Sequence, residues 1–571
     1  MEEVGLDARI IKVASLGLDE KWLGKNVADY RTRMALDNLK KRWGSGNVAG
    51  EGGEFETLVM GCRGWSKRVE VIKSETVNED CEVYWTRFLD TKVVDVTEPG
   101  QLSLPPKPPI LDDEFRRILH QVEEPKVSMP PISNTNLPKP PAPFHTTIER
   151  SPNNIYIANL HNELGNIAEQ VTSIFTQLRQ HLQEASANEK QITSTLLLLR
   201  SMSDFHSVNK AYSPFFSTFP NPPSRVCISI GEAMPSRIDV LLSTMVDIPP
   251  TEDRRKALHV QSRSYWAPAN VGPYSQAIAT SGIVTIAGMI GLVPHTMKVW
   301  EAEGIKGEIA LSLQSMIRVG REMNIHGTKG WLGGVGYVID PSYVKTMKQI
   351  WLAWFQGDYA AEDDSMNGET IDPDLNNQME LQGYFEKSDE DITPPKQRKL
   401  NSRVPPPLLI LHVAQLPIGS NVEFACLGLD SAFIRGKAAA GKSDDEESDL
   451  SKQNWDLGNS VSESLDGNLI WSSFKIGPHL LVWGALKGNI NDFATSVKKI
   501  QTEEYSPISL TIYLDPQTWE HTNNLTAKLT DAGFSGVACL PVFNISWTAH
   551  EEDAESSGYS VGFALRATRT S

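Results

Sequence analysis

Three carboxylates crowd the stretch GEGGEFETLV, Gly50 to Val59: Glu51, Glu54 and Glu56, interleaved with Gly50, Gly52 and Gly53. Glycines at that density permit positive φ and close approach of a ligand to the backbone. Acids packed so closely repel one another unless a cation or backbone donors compensate. The residues by themselves allow a cation-holding turn or an exposed acidic turn. A second candidate is GKAAAGKS, Gly436–Ser443, which fits the phosphate-cradling pattern G-x-x-x-x-G-K-[S/T]. A working loop of that kind needs a strand feeding into it and an amphipathic helix starting at the Lys-Ser. Downstream of Lys442 comes SDDEESDLSKQN, five acids with no apolar stripe. Those charges would repel a triphosphate, so the stretch reads as a tether.

Other reactive side chains give less. Cys62, Cys81, Cys227, Cys426 and Cys539 lie far apart with no C-x-x-C pair, and read as reduced, mostly buried thiols. The twelve histidines include no H-x-x-x-H spacing, so no metal site is expected. No Ser-His-Asp set has a nucleophile-elbow context.

These residues sit in a chain of 571 residues, 40% hydrophobic and 22% charged, long enough for three or four domains. A net charge of -17 argues against direct nucleic-acid binding, which requires a basic face. No apolar run approaches the ~18 residues that span a bilayer, and the acidic start MEEVGLDARI lacks an apolar signal core. A cytoplasmic protein without membrane partners is expected.

The positioning elements fall into blocks. Strands are expected at DARIIKVASLGL and FETLVMGC, with a helix through VADYRTRMALDNLKKRW. A proline-rich linker follows over residues 98–144, holding one short helix around Asp112–Val122. The next block, 145–250, has a helical stripe at Leu164, Ile167, Ala168, Val171, Ile174, Phe175, Leu178 and Leu182. Strand-like ITSTLLLLRSM, a helix through FHSVNKAYSPFF and strand-like RVCISIG follow, with the aromatics of AYSPFF read as core. Block 260–435 repeats this β-α-β-α-β plan and carries an acidic insertion at 356–407. An acidic linker, 436–456, leads to block 457–571, a C-terminal extension to which no fold is assigned.

GLDEKWLGK (Gly17–Lys25) and GEGGEFETLV together resemble the C-terminal half of the ATP-pyrophosphatase domain of the diphthine–ammonia ligase family, over residues 1–97. DFHSVNKAYSPFF with PSRVCISIGEAMP, and SYWAPANVGPYSQA with LPIGSNVEF, resemble the two RidA-like (YjgF-type) modules that follow it in fungal-type members. The resemblance implies a multidomain α/β and α+β protein: a partial adenine-nucleotide alpha-hydrolase-like domain, two RidA-like α+β modules and the extension. It implies the last step of diphthamide synthesis, ATP-dependent amidation of diphthine on translation elongation factor 2, with Mg2+ accompanying ATP and ammonia as co-substrate. The family's S-G-G-K-D-S nucleotide loop does not occur in this sequence, and is expected upstream of the first residue.

Diphthine carries a trimethylammonium, which carboxylates and aromatic faces can hold. Glu51, Gly52, Gly53, Glu54, Glu56 and Thr57 are therefore assigned to its pocket, with Trp22 or Phe55 as an aromatic wall. From the RidA-like family the resemblance carries an arginine onto Arg225, a cleft tyrosine onto Tyr274 and a water-orienting glutamate onto Glu423. Leu241 takes the glutamate's place in the first module and Leu408 the arginine's in the second. A composite cleft built from both modules, hydrolysing an enamine or imine, is one expectation, and a non-catalytic pair of packing modules is the other. RidA relatives are trimers, so a homo-oligomer through these modules is also expected.

Overall fold

The computed structural model describes residues 5–14, 18–43, 54–80, 83–96, 108–122, 145–216 apart from 152, 221–248, 255–357 apart from 328–329, and 405–433. In the C-terminal block it describes chiefly the strands between 459 and 569. GKAAAGKS, the acidic insertion from 358 onward, and Glu51, Gly52 and Gly53 lie outside the described residues. The chain divides into two compact units, residues 1–109 and 110–571.

The first unit is a four-stranded antiparallel sheet ordered Phe55–Gly61, Asp7–Val13, Val83–Asp95, Lys67–Asp80. Helix α1 (Tyr30–Trp43) covers it. Ile10, Val13, Leu18, Leu36 and Phe55 form its small core, with Trp22 packed at the margin. Sequence reading places no element on the long hairpin Lys67–Asp80/Val83–Asp95, whose strands carry charged residues on both faces.

The second unit contains one strand topology three times. In the first module the strands run Thr147–Arg150, Asn154–Leu160, Val240–Asp247, Ile192–Leu199, Ser224–Ser229 across the sheet. The last pair is parallel and the others antiparallel. The second module repeats this with Ala277–Thr280, Ile283–Ile286, Val422–Leu429, Trp331–Val338 and Leu408–His412. The C-terminal block repeats it again with Leu469–Ile476, His479–Leu486, Val561–Arg569, Tyr505–Leu514 and Val537–Pro541. The first two modules therefore read β-β-α-β-α-β-β rather than β-α-β-α-β. Their closing strands, VLLSTMVD and VEFACLGL, are central and buried on both faces, so they lack the alternation that marks a half-exposed strand.

Local signals place the helices. The linker's short helix is α2 (Asp113–Gln121), which buries Phe115, Ile118 and Leu119. Phe115 stacks on Trp354 at 4.9 Å, and Arg318 ion-pairs with Asp112 at 2.6 Å, fixing α2 to the second module. Helix α3 (Ile167–Glu184) begins with a capping box: Asn166 accepts from the Ala168 and Glu169 N–H groups, and Glu169 reaches back to the Asn166 N–H. Such a cap contributes about 1 kcal/mol. Helices α3 and α4 (Phe205–Phe216) pack on the first sheet through Val171, Ile174, Leu178, Val208 and Tyr212. Helices α5 (Gly304–Glu322) and α6 (Tyr343–Gln356) do the same on the second. None of these helices is long and apolar enough to cross a membrane among the described residues.

The three sheets meet in one shared core. Tyr156, Leu198 and Met245 of the first module, Val335 and Tyr337 of the second, and Leu481 and Tyr513 of the third belong to it. The modules also join edge to edge in a closed cycle. Gly288 N–H of the second donates to Arg225 O of the first at 3.0 Å. Asn544–Trp547 of the third pairs with Leu408–His412 of the second. Asn159 Nδ2 and Thr147 Oγ1 of the first donate to Val537 O of the third at 3.3 and 3.1 Å.

Candidate functional site

Where the first and second modules meet, Arg225, Tyr274 and Glu423 converge. Arg225 lies on the strand Ser224–Ser229 and is 3% exposed. Its Nη1 donates to Asn209 Oδ1 at 2.8 Å. Its guanidinium carbon stands 5.0 Å from the Tyr212 ring, 5.1 Å from Tyr274 and 5.6 Å from Phe205. Three aromatic faces around one cation stabilise it by cation–π attraction. Asn209 and Tyr212, three residues apart on α4, share the helix face that reaches the arginine.

The second module brings the other half. Tyr274 is buried, and burial pushes its hydroxyl above the ordinary range while the Arg225 charge opposes that. Gly272 lets the chain pass against Arg225, since a Cβ there would stand 2.3 Å from Nη2. Glu423, 2% exposed, occupies the space that a Cβ on Gly288 would take. Its Oε2 has no hydrogen-bond partner among the described residues. Burial raises its pKa from 4.5 to about 8, although Arg225 pulls in the other direction. Desolvation outweighs the attraction of the Arg225 charge here, so the carboxyl is largely uncharged at neutral pH. Burial also pushes the neighbouring Cys227 thiol up to about 12, which leaves it inert as a nucleophile.

Strand register explains why only one of the three module junctions carries these groups. Arg225 pairs with Thr195, three residues before Leu198, which faces Leu241. In the second module Leu408 pairs with Gly334, three before Tyr337, which faces Glu423. In the third, Val537 pairs with Leu510, three before Tyr513, which faces Gly562. The arginine position thus holds Arg225, Leu408 and Val537, and the glutamate position Leu241, Glu423 and Gly562. The arginine of the first module and the glutamate of the second fall at the same junction. Sequence reading missed Asn209, Gly272 and Gly288; the glycine of AGMIG was the available signal for Gly288, as a point of close approach.

The first unit shows the other predicted residues separately. Glu54 is buried and its carbonyl accepts from Ala14 N–H at 2.9 Å. Phe55 is buried beside Trp22 in the same cluster, while Glu56 and Thr57 are exposed. The Trp22 face is already covered by Lys25, whose Nζ stands 4.3 Å from the ring centroid. Among the described residues, no group of three or more His, Cys, Asp or Glu side chains is placed to hold a metal ion.

Three modules of one strand topology around a shared core, together with a compact antiparallel unit, are the class of protein that this fold and cleft define. Residues 1–94 match the family Diphthamide synthase C-terminal domain, and residues 155–242 match Endoribonuclease L-PSP. The diphthine–ammonia ligase of Schizosaccharomyces pombe is 32% identical over 61% of this chain and 57% of its own length. That of Saccharomyces cerevisiae is 28% identical over 78% of this chain and 62% of its own. The human one is 37% identical over 16% of this chain and 34% of its own. Among solved structures, RidA from a Psychrobacter species covers 30% of this chain and 98% of its own at 18% identity, TM-score 0.18. The chain is similar to the diphthine–ammonia ligases of two yeasts, and spans about three-fifths of the length of those proteins.

Proposed function

We propose that this chain serves the ATP-dependent amidation of diphthine on translation elongation factor 2. The observation that carries the reading is the similarity to the two yeast ligases over 61% and 78% of this chain, beside the family match over residues 1–94. The reaction needs ATP, with Mg2+, to convert a poorly electrophilic carboxylate into an acyl-adenylate that ammonia attacks. The described residues offer neither a triphosphate-cradling loop nor a metal cluster, so the part assigned to them is on the substrate side. Glu54 is the buried acid of the GEGGEFETLV stretch and the residue proposed to face the trimethylammonium. Expressing the gene in ligase-deficient cells and weighing diphthamide on the elongation factor tests this. Glu54→Gln is expected to lower the amidated fraction about tenfold, the cost of one desolvated charge contact. Unchanged amidation would remove Glu54 from the pocket.

The cleft between the first and second modules favours a second activity, hydrolysis of an enamine or imine with release of ammonia. Arg225 would hold the substrate carboxylate. Protonated Glu423 would donate to the enamine carbon, giving the iminium; once ionised it would take a proton from the attacking water and pass it to the amine nitrogen. Water adds across C=N, ammonia leaves and a ketone remains. Purified chain is expected to release ammonia from 2-aminoacrylate, and Arg225→Ala to reduce kcat/KM by about a hundredfold, as loss of a charge-assisted anchor does. No release above buffer would leave the modules as packing units.

A further inference from the structure

The shared core of the three modules holds a cavity of about 200 Å3 whose lining includes none of Arg225, Tyr274 and Glu423. Its wall carries hydroxyls from every module, among them Ser194, Thr244, Thr285 and Ser509, beside apolar Met245 and Leu427. Among the described residues, Arg566 is the one charged side chain in that wall. Among those residues its Nε and Nη2 are buried without a hydrogen-bond partner, and so is the indole Nε1 of Trp483, another wall residue. The carboxylate that influences Arg566 from a distance is Asp247, whose oxygens already accept from Asn154 and Ser281.

The strand register isolates this arginine further. Four residues beyond the glutamate position lie Met245, Leu427 and Arg566, which face Ser194, Gly333 and Ser509 in their own sheets. Two modules fill the place with apolar side chains. The third puts a half-buried guanidinium there with its Nε and Nη2 atoms shut away from water, and such donors destabilise a fold unless an acceptor joins them. Nε and Nη2 form one edge of the guanidinium, and that edge matches the two oxygens of a carboxylate.

We propose that the central cavity is a binding site for a small carboxylate, held side-on by Arg566 and surrounded by the wall hydroxyls. A single cation with apolar neighbours suits a monoanion better than phosphate, whose two charges would be left half neutralised. The test is calorimetric titration of the full 571-residue chain carrying Arg225→Ala, so that the cleft arginine takes no part. Acetate, pyruvate and inorganic phosphate are the probes. Acetate or pyruvate is expected to bind, more tightly than phosphate. Adding Arg566→Met, which installs the first module's residue type, is expected to weaken that binding by about tenfold or more while leaving the melting temperature equal or higher. Should that variant not fold, Arg566→Lys keeps the charge without the side-on edge and is expected to lose affinity by about tenfold as well. Absence of binding by either carboxylate, tighter phosphate binding, or affinity unchanged by the Arg566 substitutions would overturn the proposal.

Discussion

Replacing Gly288 by alanine is expected to destabilise the ring by about 3 kcal/mol or more, a size reserved for overpacking of a buried site. A Cβ at that position would stand 1.6 Å from Glu423 Oε1 and 2.6 Å from its carboxyl carbon. The glutamate is buried and its strand is pinned between Trp331–Val338 and Ile283–Ile286, so its carboxyl can yield only by leaving its place at the junction. The Gly288 N–H also donates to Arg225 O, so a shift of the backbone would loosen the junction itself. Chemical denaturation checks the size of the effect. A double variant, Gly288→Ala with Glu423→Ala, distinguishes this cause from a general intolerance of alanine. If the clash is with the glutamate, the second substitution recovers much of the loss, and the two effects fail to add. Strict additivity would contradict the account.

Glu423→Gln is expected to change how stability depends on pH. Burial raises the carboxyl from 4.5 to about 8 in the folded chain. Below about pH 4.5 the group is protonated whether the chain is folded or not. Between there and about pH 8 the unfolded chain has released a proton that the folded chain keeps, so the folded state binds more protons and loses stability as pH rises. Above about pH 8 both are ionised and the loss is complete. A glutamine in this place has no proton to release. The variant is therefore expected to match the wild type near pH 4.5 and to exceed it by a few kcal/mol near about pH 9, while ammonia release falls at every pH. Denaturation midpoints of the two proteins across that range give the comparison; a difference independent of pH would show that Glu423 ionises normally.

Much of the local architecture was legible in the chain. The apolar stripe from Ile167 to Leu182 and the Asn166–Glu169 box are contacts within four residues, so the sequence contains both partners. Asp112–Val122 was readable as a helix for the same reason, although its docking through Phe115 onto Trp354 was not. Glu423 and Arg225 were legible as candidates through their motifs. They lie in different modules, however, and come together only because Gly288 and Gly272 admit a close approach of two sheets. Arg566 left no signal at all. In VGFALRATR it alternates with Phe563 and Leu565, a pattern that reads as a solvent-facing side chain on a half-buried strand.

The sequence by itself determined several helices and strands and the residue types available at each junction, because periodicity, caps and glycines act over a few residues. Tertiary structure decided that a third copy of the module closes the ring, and thereby which sheet faces are inside. It also decided that of three equivalent junctions one brings an arginine, Arg225, to the arginine position and a glutamate, Glu423, to the glutamate position. Burial is a property of the assembled sheets: the same glutamate that would sit near pH 4.5 in water is held protonated to about pH 8 once a neighbouring module removes the solvent around it.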